Sequence, residues 1–207
     1  MYLPTHFRED RVEVLHQFIE RYPLGSLVAV TADGLRAEHV PVLLDRGAGT
    51  SGRLSGHIAR ANDLWTSVAA NTDVLVLFGG PDAYVSPAWY PSKAEHGKVV
   101  PTWTYAVVQV RGAIRFFDDP ARLHALVASL TYRHEAGRRE PWSVDDAPAD
   151  YVEKQLRAIV GFEIDIHDVI GKFKASQNRS DADRAGVRAG LDSGGTRSVE
   201  ELVRPPR

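Results

Sequence analysis

Two apolar runs with strand-like alternation bracket a long connection rich in rings and prolines, and this arrangement narrows the folds open to the 207-residue chain. The runs are Val74 to Phe78 and Trp103 to Phe117; in the second, Tyr105, Val107, Gln109 and Arg111 alternate with apolar neighbours at the period of a half-buried strand. Between them lie Tyr84, Trp89 and Tyr90, punctuated by Pro81, Pro87, Pro91 and Pro101. Proline sets φ and removes a donor, so the connection is expected to be ordered by ring packing rather than by helix or sheet hydrogen bonds. Ordered irregular loops of this length tend to be functional. The rings read as a plug over one end of a sheet, the commoner place for a large ring such as Trp89 or Trp103, or as the walls of a pocket for a flat, conjugated molecule.

The rest of the chain supplies four more strands and several helices. Tyr2, Pro4, His6 and Phe7 form an arm, and Asp10 caps a helix to about Arg21. Strands are expected at Ser26–Thr31, Leu35–Leu44, Arg53–Ala59 and Val160–Ile170, the second lying at an edge because Pro41 cannot donate to a ladder. Asn62 or Asp63 caps a short helix through Val68, and Asp118-Asp119-Pro120 opens another carrying Leu123, Leu126, Val127 and Leu130 inward. Pro148 opens a helix through Ile159 with Tyr151, Leu156 and Ile159 facing the core, and Asp181 to Leu191 is helical. From Asp192 the Gly, Ser and Pro content predicts a disordered tail. Six antiparallel-looking strands without βαβ alternation predict a mainly β chain, a small barrel or sandwich with added helices, as a single domain over residues 1–191.

Composition removes whole classes of function. There are no cysteines, which excludes disulfides, thiolate metal sites and thiol catalysis. A net charge of -2 supplies no general basic field, so DNA would need a local patch. The start, MYLPTHFRED, lacks an apolar signal core, and the expected location is cytoplasmic with no membrane partner. No dinucleotide or P-loop glycine fingerprint, no GxSxG elbow and no HExxH motif occurs, and no dedicated metal site is expected. What remains is a pocket of rings, backbone and cations.

Two stretches carry those cations. Gly56-His57-Ile58-Ala59-Arg60 leaves a strand and enters a helix start, combining backbone N–H groups, a guanidinium and an imidazole in a plausible anion turn; the alternative is that Arg60 is a surface ion-pair partner. In Gly171-Lys172-Phe173-Lys174-Ala175-Ser176, Lys172 and Lys174 are two apart, so an extended backbone points both ammonium groups to one side, with Ser176 following.

The segments YLPTHF, SGHIARAN, FGGPDAYVSPAWYPSKAEHGKVVPTWTY, VGFEIDI and GKFKASQNRS, in that order, resemble the PaiB family of FMN-binding negative transcriptional regulators, within the flavin split-barrel superfamily. The resemblance implies a six-stranded antiparallel, PNPOx-like split barrel that forms a homodimer with FMN between its subunits. It implies that His57, Ala59, Arg60 and Asn62 hold the FMN phosphate and that Thr102, Trp103 and Tyr105 flank the flavin or the dimer seam. Lys172, Lys174, Ser176, Gln177 and Asn178 correspond to the family's terminal cluster, which binds phosphate, a flavin edge or the partner subunit. The chain departs from the family pattern where Asp63 replaces a proline, Gln109 a histidine and Phe173 a tryptophan; Asp63 puts a carboxylate beside the proposed phosphate turn. Three functions follow: a flavin-binding homodimer acting as a transcriptional or metabolic regulator, an FMN-dependent oxidoreductase, and a direct DNA-binding repressor using Lys172, Lys174, Arg179, Arg184 and Arg188. Asp181 and Asp183 interrupt that basic run, which argues against the third.

Overall fold

The computed structural model describes residues 1–194, and the alternating runs pair as strands of one eight-stranded sheet. A 3-10 turn (Thr5–Phe7) leads into β1 (Arg8–Glu9) and α1 (Val12–Arg21). The hairpin of β2 (Leu24–Thr31) and β3 (Gly34–Pro41) follows, then β4 (Leu43–Asp45), β5 (Arg53–Ala59) and a single turn, α2 (Leu64–Ser67). Next come β6 (Thr72–Val85), α3 (Ser92–His96), β7 (Thr102–Phe117), α4 (Pro120–Glu135), α5 (Ala149–Arg157), β8 (Ile159–Lys174) and α6 (Asp181–Ser193). The sheet order is β3-β2-β6-β7-β8-β5-β4, with β1 antiparallel to β8.

The six expected strands are all present, and β1 and β4 bring the number to eight. β4 arises because the Leu35–Leu44 run breaks after Pro41: the Val42 amide donates instead to the Pro23 carbonyl (3.0 Å). β3 ends the sheet order, so the donor that Pro41 lacks is not needed by a further strand.

The connection between the two bracketing runs differs from expectation. β6 runs on to Val85 through Pro81, and the prolines then start helical turns rather than prevent them. Pro87 occupies the first position of a 3-10 turn whose Ser86 hydroxyl accepts from the Ala88 amide (3.2 Å), and α3 closes on Gly97, whose φ of 67° is the left-handed conformation glycine adopts without penalty. α5 also stops at Arg157, Ile159 opens β8, and Tyr151 is exposed; the inward stripe is half-buried Val152 and buried Leu156, four residues apart. At the C-terminus Asp192 and Ser193 belong to α6, and residues 195–207 of the expected tail lie outside the described residues.

The chain forms two compact units, and β6, β7 and β8 contribute to both. The larger comprises residues 16–78 and 109–169. Its core is built on fully buried Leu27, Leu54, Val76, Phe78, Ile114, Phe162 and Ile164. Gly56 pairs in register with Phe162, and a Cβ at residue 56 would lie 2.5 Å from the Phe162 ring, so the phenyl occupies the space the glycine leaves. The smaller unit comprises residues 1–15, 79–108 and, among the described residues, 170–194. There Val85, Tyr90, Val187 and Leu191 form a core onto which Trp89 and Val99 pack.

Candidate functional site

The residues singled out from the sequence gather in two places, one in each unit. In the larger unit, β5 delivers His57, Ala59 and Arg60 to the turn before α2. The Arg60 guanidinium is fixed by its own chain: Nε donates to the Arg157 carbonyl (2.9 Å), Nη2 to the Ile159 carbonyl (3.2 Å), and Nη1 approaches the Asp118 carboxylate (3.4 Å). Trp65 lies against it, its ring centroid 5.8 Å from the guanidinium carbon, and the Trp65 indole N–H donates to the Arg60 carbonyl (3.1 Å). Such a fork is preorganised, so little freedom is lost when its outward N–H groups meet an anion.

The turn's backbone contributes less than its sequence promised. The Arg60 amide already donates to Ala158 (2.8 Å), the Asn62 amide to Ala59 (2.9 Å), and the Leu64 amide to the Asn62 side-chain oxygen (3.0 Å). α2 is one turn long, so its axial field is small. With three amides of the bend engaged, the side chains that can add to anion recognition are the Arg60 fork and the Asn62 amide N–H groups.

Asp63 does not oppose that role. Its carboxylate is paired with the Arg36 guanidinium at 2.5 Å, which holds its pKa below the ordinary aspartate range and raises that of Arg36. The carboxylate that replaces the family's proline thus has a counter-charge on β3.

His57 is half-buried beside this turn, and its Nδ1 is buried without a hydrogen-bond partner. Burial lowers its pKa from the ordinary 6.5. A depressed folded value means that the His57 contribution to stability is complete above 6.5 and is lost as pH falls through the folded value. An NMR titration of the His57 ring is expected to give a midpoint below 6.5; a midpoint at or above it would mean that the charged form is solvated.

In the smaller unit a cavity of about 160 Å³ is lined by Thr102, Trp103, Lys174, Ser176 and Asn178, all singled out from the sequence, together with residues that were not. Lys174 Nζ donates to the Thr102 hydroxyl (2.5 Å) and lies 5.8 Å from the Tyr105 ring centroid. Lys172, at 5.5 Å from the same ring, shares that side of β8 as expected, but its ammonium donates to the Tyr2 carbonyl (3.1 Å) and ties down the arm. Gln177 is a clamp rather than a lining residue: its oxygen accepts from the Ala175 amide (2.7 Å) and its NH₂ donates to the Phe173 carbonyl. The clamp supports Ser176 at a φ of 61°, a conformation a non-glycine residue adopts only when its surroundings enforce it.

Phe7, Tyr90 and Arg179 also line the cavity; Tyr90 was raised only as one of the rings of the connection and Arg179 only as part of a basic run, neither as a member of this site. Tyr90 and Arg179 do lie inside the WYPSK and SQNR segments, and only the fold shows that these segments meet: the Arg179 guanidinium carbon stands 5.0 Å from the Tyr90 ring centroid. The C-terminal basic residues do not make an open stripe. Lys172 and Lys174 are engaged as above, Arg184 pairs with Asp181 (3.2 Å), and Arg188 buries its Nε. Among the described residues no helix is long and apolar enough to cross a membrane.

The family described as "Putative FMN-binding domain" matches residues 1–168. An uncharacterised protein of Emericella nidulans is 35% identical, the match covering 99% of this chain and 96% of that protein. The protease synthase and sporulation protein PAI 2 of Bacillus subtilis is 30% identical, covering 90% of this chain and 87% of the relative. Among solved structures, the FAD and heme binding protein of Mycobacterium smegmatis superposes with a TM-score of 0.59 at 16% identity, covering 86% of this chain and 79% of that one. At that identity the likeness concerns the fold, which is the PNPOx-like split barrel.

Proposed function

The chain belongs to the family of FMN-binding domains that includes PAI 2, its cofactor is FMN, and on that premise we propose that it is a homodimeric regulator whose signal is the occupancy or state of the flavin. The observation that carries the reading is the turn after β5: an arginine fork held by two main-chain carbonyls and paired with Asp118, an asparagine whose side-chain oxygen accepts from the Leu64 amide, a second carboxylate, Asp63, paired with Arg36, and a buried imidazole nitrogen without a partner. These groups suit the phosphate and polar tail of FMN. For Thr102, Trp103 and Tyr105 the reading is a place at the flavin or at the dimer seam. When bound, FMN supplies one- and two-electron transfer; the chain's own task is to grip the phosphate and orient the rings.

Two observations support a second copy. The smaller unit's cavity, about 160 Å³, is below the roughly 300 Å³ at which pockets for drug-sized ligands begin. Tyr84 and Trp103, packed edge to face with centroids 6.1 Å apart, are each about half exposed, an aromatic surface that a partner subunit would cover. Because Lys172 and Lys174 are bonded within their own unit, Arg184 is paired with Asp181 and the Arg188 Nε is buried, the segment offers no open basic stripe, and we place regulation in ligand binding rather than in direct DNA contact. The Bacillus relative is itself named for protease synthase and sporulation.

Purified protein is expected to show or take up a flavin absorption band and to have the mass of a dimer; failure to take up added FMN rejects the reading. Arg60→Ala removes charge-assisted bonds of about 1.5–3 kcal/mol, so FMN affinity should fall about 10- to 100-fold. Arg36→Ala leaves the bonds of Arg60 and Asn62 in place but frees the Asp63 charge. It should weaken FMN binding in a salt-dependent way, and Asp63→Asn in the same chain should restore it.

A further inference from the structure

We propose that the cavity of the smaller unit is a separate binding site for the carboxylate or phosphate group of a small organic anion, a substrate or effector that acts together with the flavin. Its lining carries two cations, Lys174 and Arg179, and no carboxylate. Neither cation is paired with an acid among the described residues. The nearby Asp183 carboxylate does not line the cavity and is held by Ser92, one oxygen accepting from the Ser92 amide (3.1 Å) and the other from the Ser92 hydroxyl (2.9 Å).

Neutral donors complete the arrangement. Thr102 and Ser176 bring hydroxyls and Asn178 an amide, and Tyr90, only 2% exposed, keeps its hydroxyl buried without a hydrogen-bond partner. A buried phenol left without a partner costs free energy unless a ligand supplies one. Burial is the first cause raising its pKa, with the neighbouring Arg179 guanidinium acting the other way. The space, about 160 Å³, equals roughly five waters at about 30 Å³ each. That admits one oxyanion group on a short stem and not a flavin. Trp103, half exposed at this cavity, gives the stem a flat wall.

The site is also built in advance. The Gln177 clamp and the Arg179 amide bond to the Ser176 carbonyl (3.0 Å) fix the loop that presents Ser176, Asn178 and Arg179. Trp89 and Pro91 hold the Tyr90 segment against α6. Fixed donors around a cationic cavity bind an oxyanion with little reorganisation.

The inference rests on the flavin reading only for the anion's acting with a flavin; the pocket itself is testable alone. FMN-loaded protein would be titrated with inorganic phosphate and with benzoate, followed by calorimetry and by tryptophan fluorescence, with chloride as the control. Saturable binding of at least one is expected, and the preferred probe tells a phosphate site from a carboxylate site. Arg179→Gln should weaken that binding tenfold or more while FMN stoichiometry stays unchanged, and Lys174→Met should weaken it similarly. Tyr90→Phe should also weaken it, because it removes the hydroxyl beside Arg179.

Absence of saturable binding by both probes overturns the proposal, as does binding that none of the three variants alters. Competition between phosphate and FMN, with both lost in Arg179→Gln, would also overturn it by making this cavity the flavin's own. If the protein takes up no FMN yet binds the anion in an Arg179-dependent way, the flavin reading fails and this site stands.

Discussion

Phe162→Ala should cost about 3–5 kcal/mol of stability and weaken FMN binding in the same variant. Phe162 is fully buried in β8 and lies directly across from Gly56 of β5, its ring filling the space that a side chain on Gly56 would take. Truncation leaves a void that neither the glycine nor the strand pairing can close, so transfer and cavity terms both count. The same ladder continues His57↔Gly161, Ile58↔Val160 and Ala59↔Ile159, and it positions the Ile159 carbonyl that holds Arg60. Loosening the ladder at Phe162 therefore reaches the turn three residues on. Urea unfolding should show a lower midpoint at unchanged slope, the mark of a stability change rather than an altered denatured state. A loss below about 1 kcal/mol would mean that the β5–β8 layer repacks freely, outside the range expected for a buried phenylalanine.

Gly186→Ala should destabilise the smaller unit although it improves the helix it sits in. In an exposed helix interior, alanine in place of glycine gains about 1 kcal/mol. Here a Cβ would stand 2.0 Å from the Trp89 carbonyl oxygen and 3.0 Å from Pro91 Cδ. The first contact is with backbone and cannot be relieved by a rotamer change, so α6 must move outward, at a cost of about 1–3 kcal/mol or more. Movement also strains the Ser92–Asp183 bonds and the packing of Val187 and Leu191 on Val85 and Tyr90. The net expectation is a loss of about 1–2 kcal/mol. Ala189→Gly on the exposed side of the same helix separates the causes, because it removes propensity alone. Opposite substitutions that both destabilise identify the close approach of α6 to Trp89; a stabilised Gly186→Ala would show that this approach is loose.

The candidate site was partly legible. His57, Arg60 and Asn62 follow a strand and precede a helix cap, a local pattern, and the structure keeps them together. What the pattern could not convey is that the amides of Arg60, Asn62 and Leu64 are already bonded, two of them within the turn and one to Ala158, nearly a hundred residues away. Asp63 looked like an obstacle because its partner, Arg36, is 27 positions distant and becomes a neighbour only when β3 packs beside the turn that follows β5. Tyr90 and Arg179 were visible as members of two motifs but not as one wall of a cavity, since nothing local relates a proline-started turn to a loop ninety residues on.

The amino-acid order alone determined the mainly antiparallel β class, the six principal strands, the edge position of β3 and the family. Each of these depends on side-chain period, on proline's missing donor or on contiguous motifs, all properties of neighbours along the chain. Tertiary structure alone decided that the prolines between β6 and β7 start helical turns, that Lys172 ties down the arm while Lys174 faces a cavity, and that Gln177 clamps a loop instead of lining a site. Those outcomes depend on which groups across the fold reach a given hydrogen-bond donor or charge first, and that competition is settled only when distant segments are packed together.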